Sequence, residues 1–216
     1  MKSLNRLFLA ITILTVICMS ACKENDYLTD GGVYKAVSSL STYDYLKSSS
    51  HFDTLILIVD YFGLKDALNE APTTYAFTDY TAKVFMRSID CTTMNQLYDS
   101  ISSKFVTQYL FPEKIMVKDA SVDPVIFQNL AEPDSTNCAI SKAEYIEYVY
   151  LTNSTPGFKY YQMQYLNVNG VIDNSADAPA DDPTDVTLKC QTSDILTSSG
   201  ATVVHVFSNS VLLKKL

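Results

Sequence analysis

Near residue 120 the spacing of apolar residues changes period, and few architectures accommodate that change. Upstream the pattern is helical. Ser41 and Asp44 form a capping pair, and Phe52, Leu55, Ile56, Val59 and Phe62 recur at three- and four-residue spacing, which places them on one helix face. Gly63 closes that helix, and a shorter one begins at Leu64. "TTYAFTDYTAKVF" (73–85) reads as a short strand ending in a Thr-Asp turn. Residues 93–111 read as one helix, with Thr93 and Gln96 in capping-box spacing, Met94, Leu97, Tyr98, Ile101 and Phe105 on one face, and Pro112 marking its end.

Downstream the period falls to two. "AEYIEYVYL" (143–151) and "FKYYQMQYLNV" (158–168), joined across the turn-rich "TNSTPG", predict a β-hairpin. "DVTLKC" and "TVVHVFSNSVLL" read as closing strands, with a short capped helical turn at "TSDILTSSG" between them. Helices first and strands afterwards predict an α+β fold, its sheet partly covered by helices.

The N-terminus bounds the setting. Lys2 and Arg6 precede a weakly polar to apolar run of about 13 residues, Leu7 to Met19, which reads as a secretory signal peptide. The run is well short of the roughly 20 apolar residues a spanning helix needs. "MSAC" (19–22) resembles the lipoprotein processing site, in which the cysteine becomes the acylated N-terminus, although methionine stands where that pattern prefers leucine. Residues 1–22 are therefore expected to be a lipoprotein signal and Cys22 the lipidation site, palmitate included. Residues 23–37 form a polar tether. Its Lys23 and following acidic residues resemble a surface-export signal and equally suit a plain solvated linker. The expected location is the cell envelope, lipid-anchored, at the outer membrane and facing outward if the export reading holds.

Loss of Lys2 and Arg6 with the leader takes the net charge from −8 to −10. Such a chain repels phosphate-rich partners, and there is no Lys/Arg run to bind nucleic acid. Of the cysteines beyond Cys22, Cys91, Cys138 and Cys190 are too far apart for CxxC redox or zinc patterns. They allow one disulfide and a buried thiol, or three buried thiols.

Candidate chemistry is sparse. The chain has only two histidines, His51 and His205, and no P-loop, HExxH, GxSxG or GxGxxG motif. No catalytic residues, metal ligands or cofactor are expected, and the chain is not predicted to be an enzyme. His205 lies in an apolar strand, so it reads as a hydrogen-bonded structural residue, and Thr78, Asp79 and His205 are expected to form one polar cluster. Asp173, Asp177, Asp181, Asp182 and Asp185 lack the spaced calcium-loop pattern and are interrupted by prolines, so they predict a disordered surface loop. Tyr145, Tyr148, Tyr150, Tyr160, Tyr161 and Tyr165 crowd the hairpin, and alternation sends them to both faces. They are the candidates for partner binding, set against plain cross-strand packing.

Several stretches, in order, resemble the fasciclin domain. Residues 43–79 resemble its opening, in which a helix with a Phe-x-x-Leu pattern leads through Gly-Leu to a Thr-x-Phe-Ala-Pro-Thr-Asp signature, here Thr73 to Asp79 with Tyr75 and Phe77 replacing Phe and Pro. "SGATVVHVFSNSVLL" resembles the second signature, with His205, Val211 and Leu212 at matching places. The likeness spans about residues 41 to 213, and residues 38–216 are expected to form one domain, though the stretch from about 120 to 190 matches only in strand character. It implies a fasciclin-like wedge of β-sheets with a helical cluster from the N-terminal half, and adhesion or binding of an envelope or extracellular protein or glycan. The family's Tyr-His pair falls at Tyr109 and Leu110, so its integrin recognition does not carry over. The alternatives are an accessory glycan-binding lipoprotein of a nutrient-uptake system and a hydrolase.

Overall fold

Side-chain caps cut the helical half into short pieces. The structure, a computed structural model, describes residues 37–147 and 158–214. Ser41 Oγ accepts the Asp44 backbone N–H and donates to the Asp44 carboxylate, opening α1 (Thr42–Lys47). After a 3-10 turn at Ser50–Phe52, α2 (Asp53–Tyr61) buries Leu55, Ile56, Ile58 and Val59. It ends at Gly63, whose φ of 66° favours glycine. α3 (Lys65–Glu70) buries Leu68 and leads into β1 (Thr73–Ala76).

Two helical expectations change here. The Thr-Asp step after β1 is a helix start, because Thr78 Oγ1 accepts the Thr81 N–H and α4 (Asp79–Ser88) follows. The helix expected over 93–111 keeps its Thr93–Gln96 capping box but ends early. α5 (Met94–Ser100) stops at Ile101, where φ −121° and ψ 169° are extended, α6 (Lys104–Thr107) is one turn, and Leu110–Phe111 is a strand, β2. Pairing of Leu110 with Thr74 and of Phe111 with Thr73 overrides the local helical spacing.

The remaining strands are β3 (Val125–Ile126), β4 (Cys138–Glu147), β5 (Phe158–Asn167), β6 (Val186–Thr197) and β7 (Thr202–Phe207). They form one sheet in the order β2-β1-β7-β6-β5-β4-β3. Among the described strands β1 and β7 pair in parallel, with Tyr75 opposite His205, and the other neighbouring strands are antiparallel. The hairpin is as expected, except that β4 starts five residues earlier than its alternation suggested. Its turn lies outside the described residues. The helical turn expected at 192–200 shrinks to a 3-10 turn at Ser198–Gly200, because β6 continues to Thr197 through two register shifts, with Asp194 at φ 59°. Such bulges bend a strand and increase its twist, so the sheet curls at β6.

The main core lies between the helices and this curled sheet. All six residues of β7 are buried, as expected of a strand covered on both faces. Tyr75, Tyr109, Tyr165 and Phe207 pack in one aromatic group with ring centroids 5.3 to 5.9 Å apart, each such pair adding about 0.5–1.5 kcal/mol beyond area burial. α1 is fastened by hydroxyls: buried Thr42 Oγ1 lies 2.9 Å from Thr197 Oγ1 and 3.0 Å from Thr202 Oγ1, and those two are 2.6 Å apart. On the opposite sheet face Ala139, Leu166 and Val168 make a small second cluster with Ile126 and Ile172. Mixed α+β is the observed class. Cys91, Cys138 and Cys190 are three separate buried thiols, and burial pushes the Cys138 thiol up to about 12.

Candidate functional site

His205 is fully buried, and both of its ring nitrogens are used. Nδ1 accepts the Asp194 backbone N–H at 3.3 Å, which leaves the proton on Nε2, 2.8 Å from the Ile115 carbonyl oxygen. The ring also packs against Tyr75 at 4.9 Å between centroids. Desolvation lowers its pKa, against opposing contributions from the Ile115 carbonyl and the Asp194 carboxylate. Nearby, Thr73 Oγ1 donates to the Glu113 carbonyl and accepts the Ile115 N–H, and Asp194 Oδ1 accepts the Val117 N–H at 3.0 Å. Together these bonds hold residues 113–117 against β1 and β6–β7. A neutral imidazole consumed in this way is a structural tie.

Thr78 and Asp79 do not join that tie. Tyr75 is the β1 residue opposite His205, and at about 3.3 Å of rise per residue Thr78 and Asp79 lie roughly 10 Å further along. The parallel register continues to Ala76 opposite Val206, so Thr78 falls beside the turn after β7 and donates to Asn209 Oδ1 at 2.6 Å. Asp79 Oδ1 accepts the Thr54 N–H at 2.7 Å, fastening α4 to the start of α2. Both residues line a cleft of about 630 Å³ with Tyr45, His51, Tyr80 and Gln191. Sequence reasoning missed this cleft because its walls come from four separate segments, residues 45–52, 78–83, 191–195 and 206–209. The only signal was the Thr-Asp pair itself.

The six hairpin tyrosines separate. Tyr165 is 1% exposed and donates to the Gln108 carbonyl at 3.3 Å. It shares the core face with Met163 by strand alternation, so it is not available to a partner. Tyr148 and Tyr150 lie outside the described residues. Tyr145 and Tyr160 are opposite each other on β4 and β5, their rings stacked 5.4 Å apart, and Tyr160 is 43% exposed. Tyr161, 41% exposed, lies towards the hairpin end and donates to Glu144 Oε2 at 3.0 Å, with Lys142 Nζ 4.9 Å from its ring centroid. Lys159 pairs with Glu144 at 2.9 Å, and hydrogen bonds from Lys159 and then Tyr161 hold that carboxyl below its ordinary range. This end of the hairpin is thus half-exposed and aromatic on both faces, the stacked Tyr145–Tyr160 pair on one and Tyr161 with its paired Glu144 on the other.

The acidic stretch is an ordered loop, contrary to expectation. Asp185 accepts the backbone N–H groups of Asn169 and Asp173, while Asp173 accepts that of Asp185. Asp182 accepts the Val171 N–H, and its carboxylate sits so close to Gly170, at φ 93°, that a Cβ there would collide with it. These carboxylates act as loop caps, which is why the loop keeps its shape without metal spacing. With Ser141, Gln164 and Thr187 the loop borders a second cleft of about 580 Å³. Among the described residues, no three His, Cys, Asp or Glu side chains are grouped to hold a metal ion. No described helix is long and apolar enough to cross a membrane. Compared with known families and with characterised proteins, the chain matches no family model and no characterised sequence.

Proposed function

We propose that the chain is a lipid-anchored protein of the cell envelope, fasciclin-like in its domain, that binds a protein or glycan partner and performs no catalysis. The observation that carries this reading is the half-exposed tyrosine surface of β4 and β5. Tyr145 and Tyr160 offer large area with polar tips on one face of two hydrogen-bonded strands, with Tyr161 on the other face, a rigid arrangement that loses little entropy on binding. The fasciclin likeness draws support from the pairing of its two signature segments, which lie side by side as β1 and β7. Anchoring at the outer membrane rests on Cys22 and the residues before it.

Two measurements test the proposal. Full-length protein on intact cells, cross-linked to its surroundings, should capture a partner that the Tyr145→Ala/Tyr160→Ala double variant captures at least tenfold less. Equal capture removes the hairpin as the binding face. Cys22→Ala should abolish incorporation of labelled palmitate and release the protein into the soluble fraction, and continued membrane retention would reject the anchor.

A further inference from the structure

The cleft beside Thr78 and Asp79 has a composition that selects a ligand class. It opens at the edge where β1 and β7, the parallel pair, both finish, so the segments after both strands contribute to one wall. Parallel neighbours present their C-terminal loops together, which is why ligand sites recur at that edge of parallel strands. At about 630 Å³ it lies within the size range of small-molecule sites.

Its polar groups are held in place and left partly unused. Asp79 spends Oδ1 on the Thr54 N–H, and among the described residues no protein group donates to Oδ2. Asn209 spends its carbonyl on the Thr78 hydroxyl, which leaves its NH₂ group as a donor. Gln191, exposed on β6, brings both a donor and an acceptor. Tyr80, 59% exposed, and half-buried Tyr45 border the space with ring surface.

The charges there oppose one another. Asp79 and Lys83 stand one turn apart on α4 and therefore on one face, and His51 lines the same cleft. One carboxylate beside one ammonium gives little net field for either an anion or a cation, and the protein's overall negative charge further disfavours anions. A fixed carboxylate oxygen, two amides and two phenol rings instead suit many neutral hydroxyls presented on a compact body with apolar C–H edges.

We infer that this cleft binds a neutral, hydroxyl-rich ligand, the last one or two sugar units of a glycan. The inference rests on the reading of the chain as a binding module but uses a different surface from the tyrosine hairpin, so the two fail separately.

The test uses full-length protein in detergent micelles, titrated with maltose, cellobiose, lactose and chitobiose, with glucose 6-phosphate as the anionic comparison, and binding is followed by calorimetry. At least one neutral disaccharide should bind more tightly than glucose 6-phosphate. Asp79→Asn keeps the acceptor for Thr54, and Tyr80→Ala removes an exposed ring, so both should fold; each should weaken that binding at least tenfold. Tyr145→Ala/Tyr160→Ala should leave it unchanged. Binding of none of the four neutral sugars, preference for the phosphate sugar, or full affinity in Tyr80→Ala overturns the inference. Loss of sugar binding only in the hairpin double variant overturns it as well, and moves the glycan to the hairpin.

Discussion

The two halves of the sheet solve opposite problems. β1 and β7 are short, parallel to each other and buried along their whole length; Thr73 and His205 are spent on fastening residues 113–117, and Thr202 on fastening α1. β4 and β5 run ten residues each, against four and six for β1 and β7, antiparallel over ten residue pairs, and their hairpin end reaches beyond the core with tyrosines exposed. Burial on both faces leaves no side chain free for recognition, whereas a hairpin that outruns its core has side chains to spare. The outer half shares the core through Cys138, Ile140, Met163 and Tyr165, but its hairpin end can change its surface without touching those residues.

The largest expected effect comes from cutting the inner half. Phe207→Ala removes a fully buried ring from the aromatic group and should cost about 3–5 kcal/mol in urea unfolding. A cost below 1 kcal/mol would erase the distinction between the halves. Next is acid. His205 has a lowered pKa when folded, so below the ordinary histidine value of about 6.5 the unfolded chain takes up a proton that the folded ring refuses. Its contribution is fully present above that pH and falls as the pH drops towards the folded value, by up to about 1.4 kcal/mol per pH unit. His205→Gln, measured across pH 7.5 to 5, should flatten that slope, and an unchanged slope would assign it elsewhere.

Smaller effects sharpen the contrast. The Tyr75 hydroxyl is buried with no partner among the described residues, and burial pushes its pKa well up. Tyr75→Phe keeps the ring packing and removes an unpaired polar group, so stability should rise by about 1 kcal/mol; a loss of that size would reveal a bound partner for the hydroxyl. Tyr160→Ala on the outer half should shift unfolding by no more than about 0.5 kcal/mol while reducing partner capture. A large loss of stability there would make that tyrosine a packing residue.

What could be read in advance follows the range of each interaction. Caps are local, so Ser41–Asp44 and Thr93–Gln96 were legible, as was the α2 face and the exchange of period near residue 120. Thr78 was read as part of a turn ending the strand, and whether a Thr-Asp step ends a strand or starts a helix depends on what its hydroxyl accepts, here the Thr81 N–H. The strand at Leu110–Phe111 follows from pairing with β1, which lies more than thirty residues away in sequence. The same holds at the sites. Burial of His205 was legible from its valine neighbours, but Ile115 and Asp194 as its partners were not, since a bulge in β6 supplies one and a returning loop the other. Tyr165 and Tyr161 share a strand face and differ only in how far the core extends beneath them, a property of tertiary packing.

The segment just ahead of α1 lies along the end of β6, with Val37 bridged in parallel to Leu196. Ser38 N–H donates to the Leu196 carbonyl, Ser198 N–H to Leu40 and Ser199 N–H to Ser38. Tension arriving through the chain before Val37 and directed along that segment would load these bonds in shear, all together, in place of peeling them one by one. There β6 passes the load sideways into β7, to which Leu196 is paired. Under such a pull this segment would act as a mechanical clamp, and the load would reach the middle of the sheet before it reaches either edge.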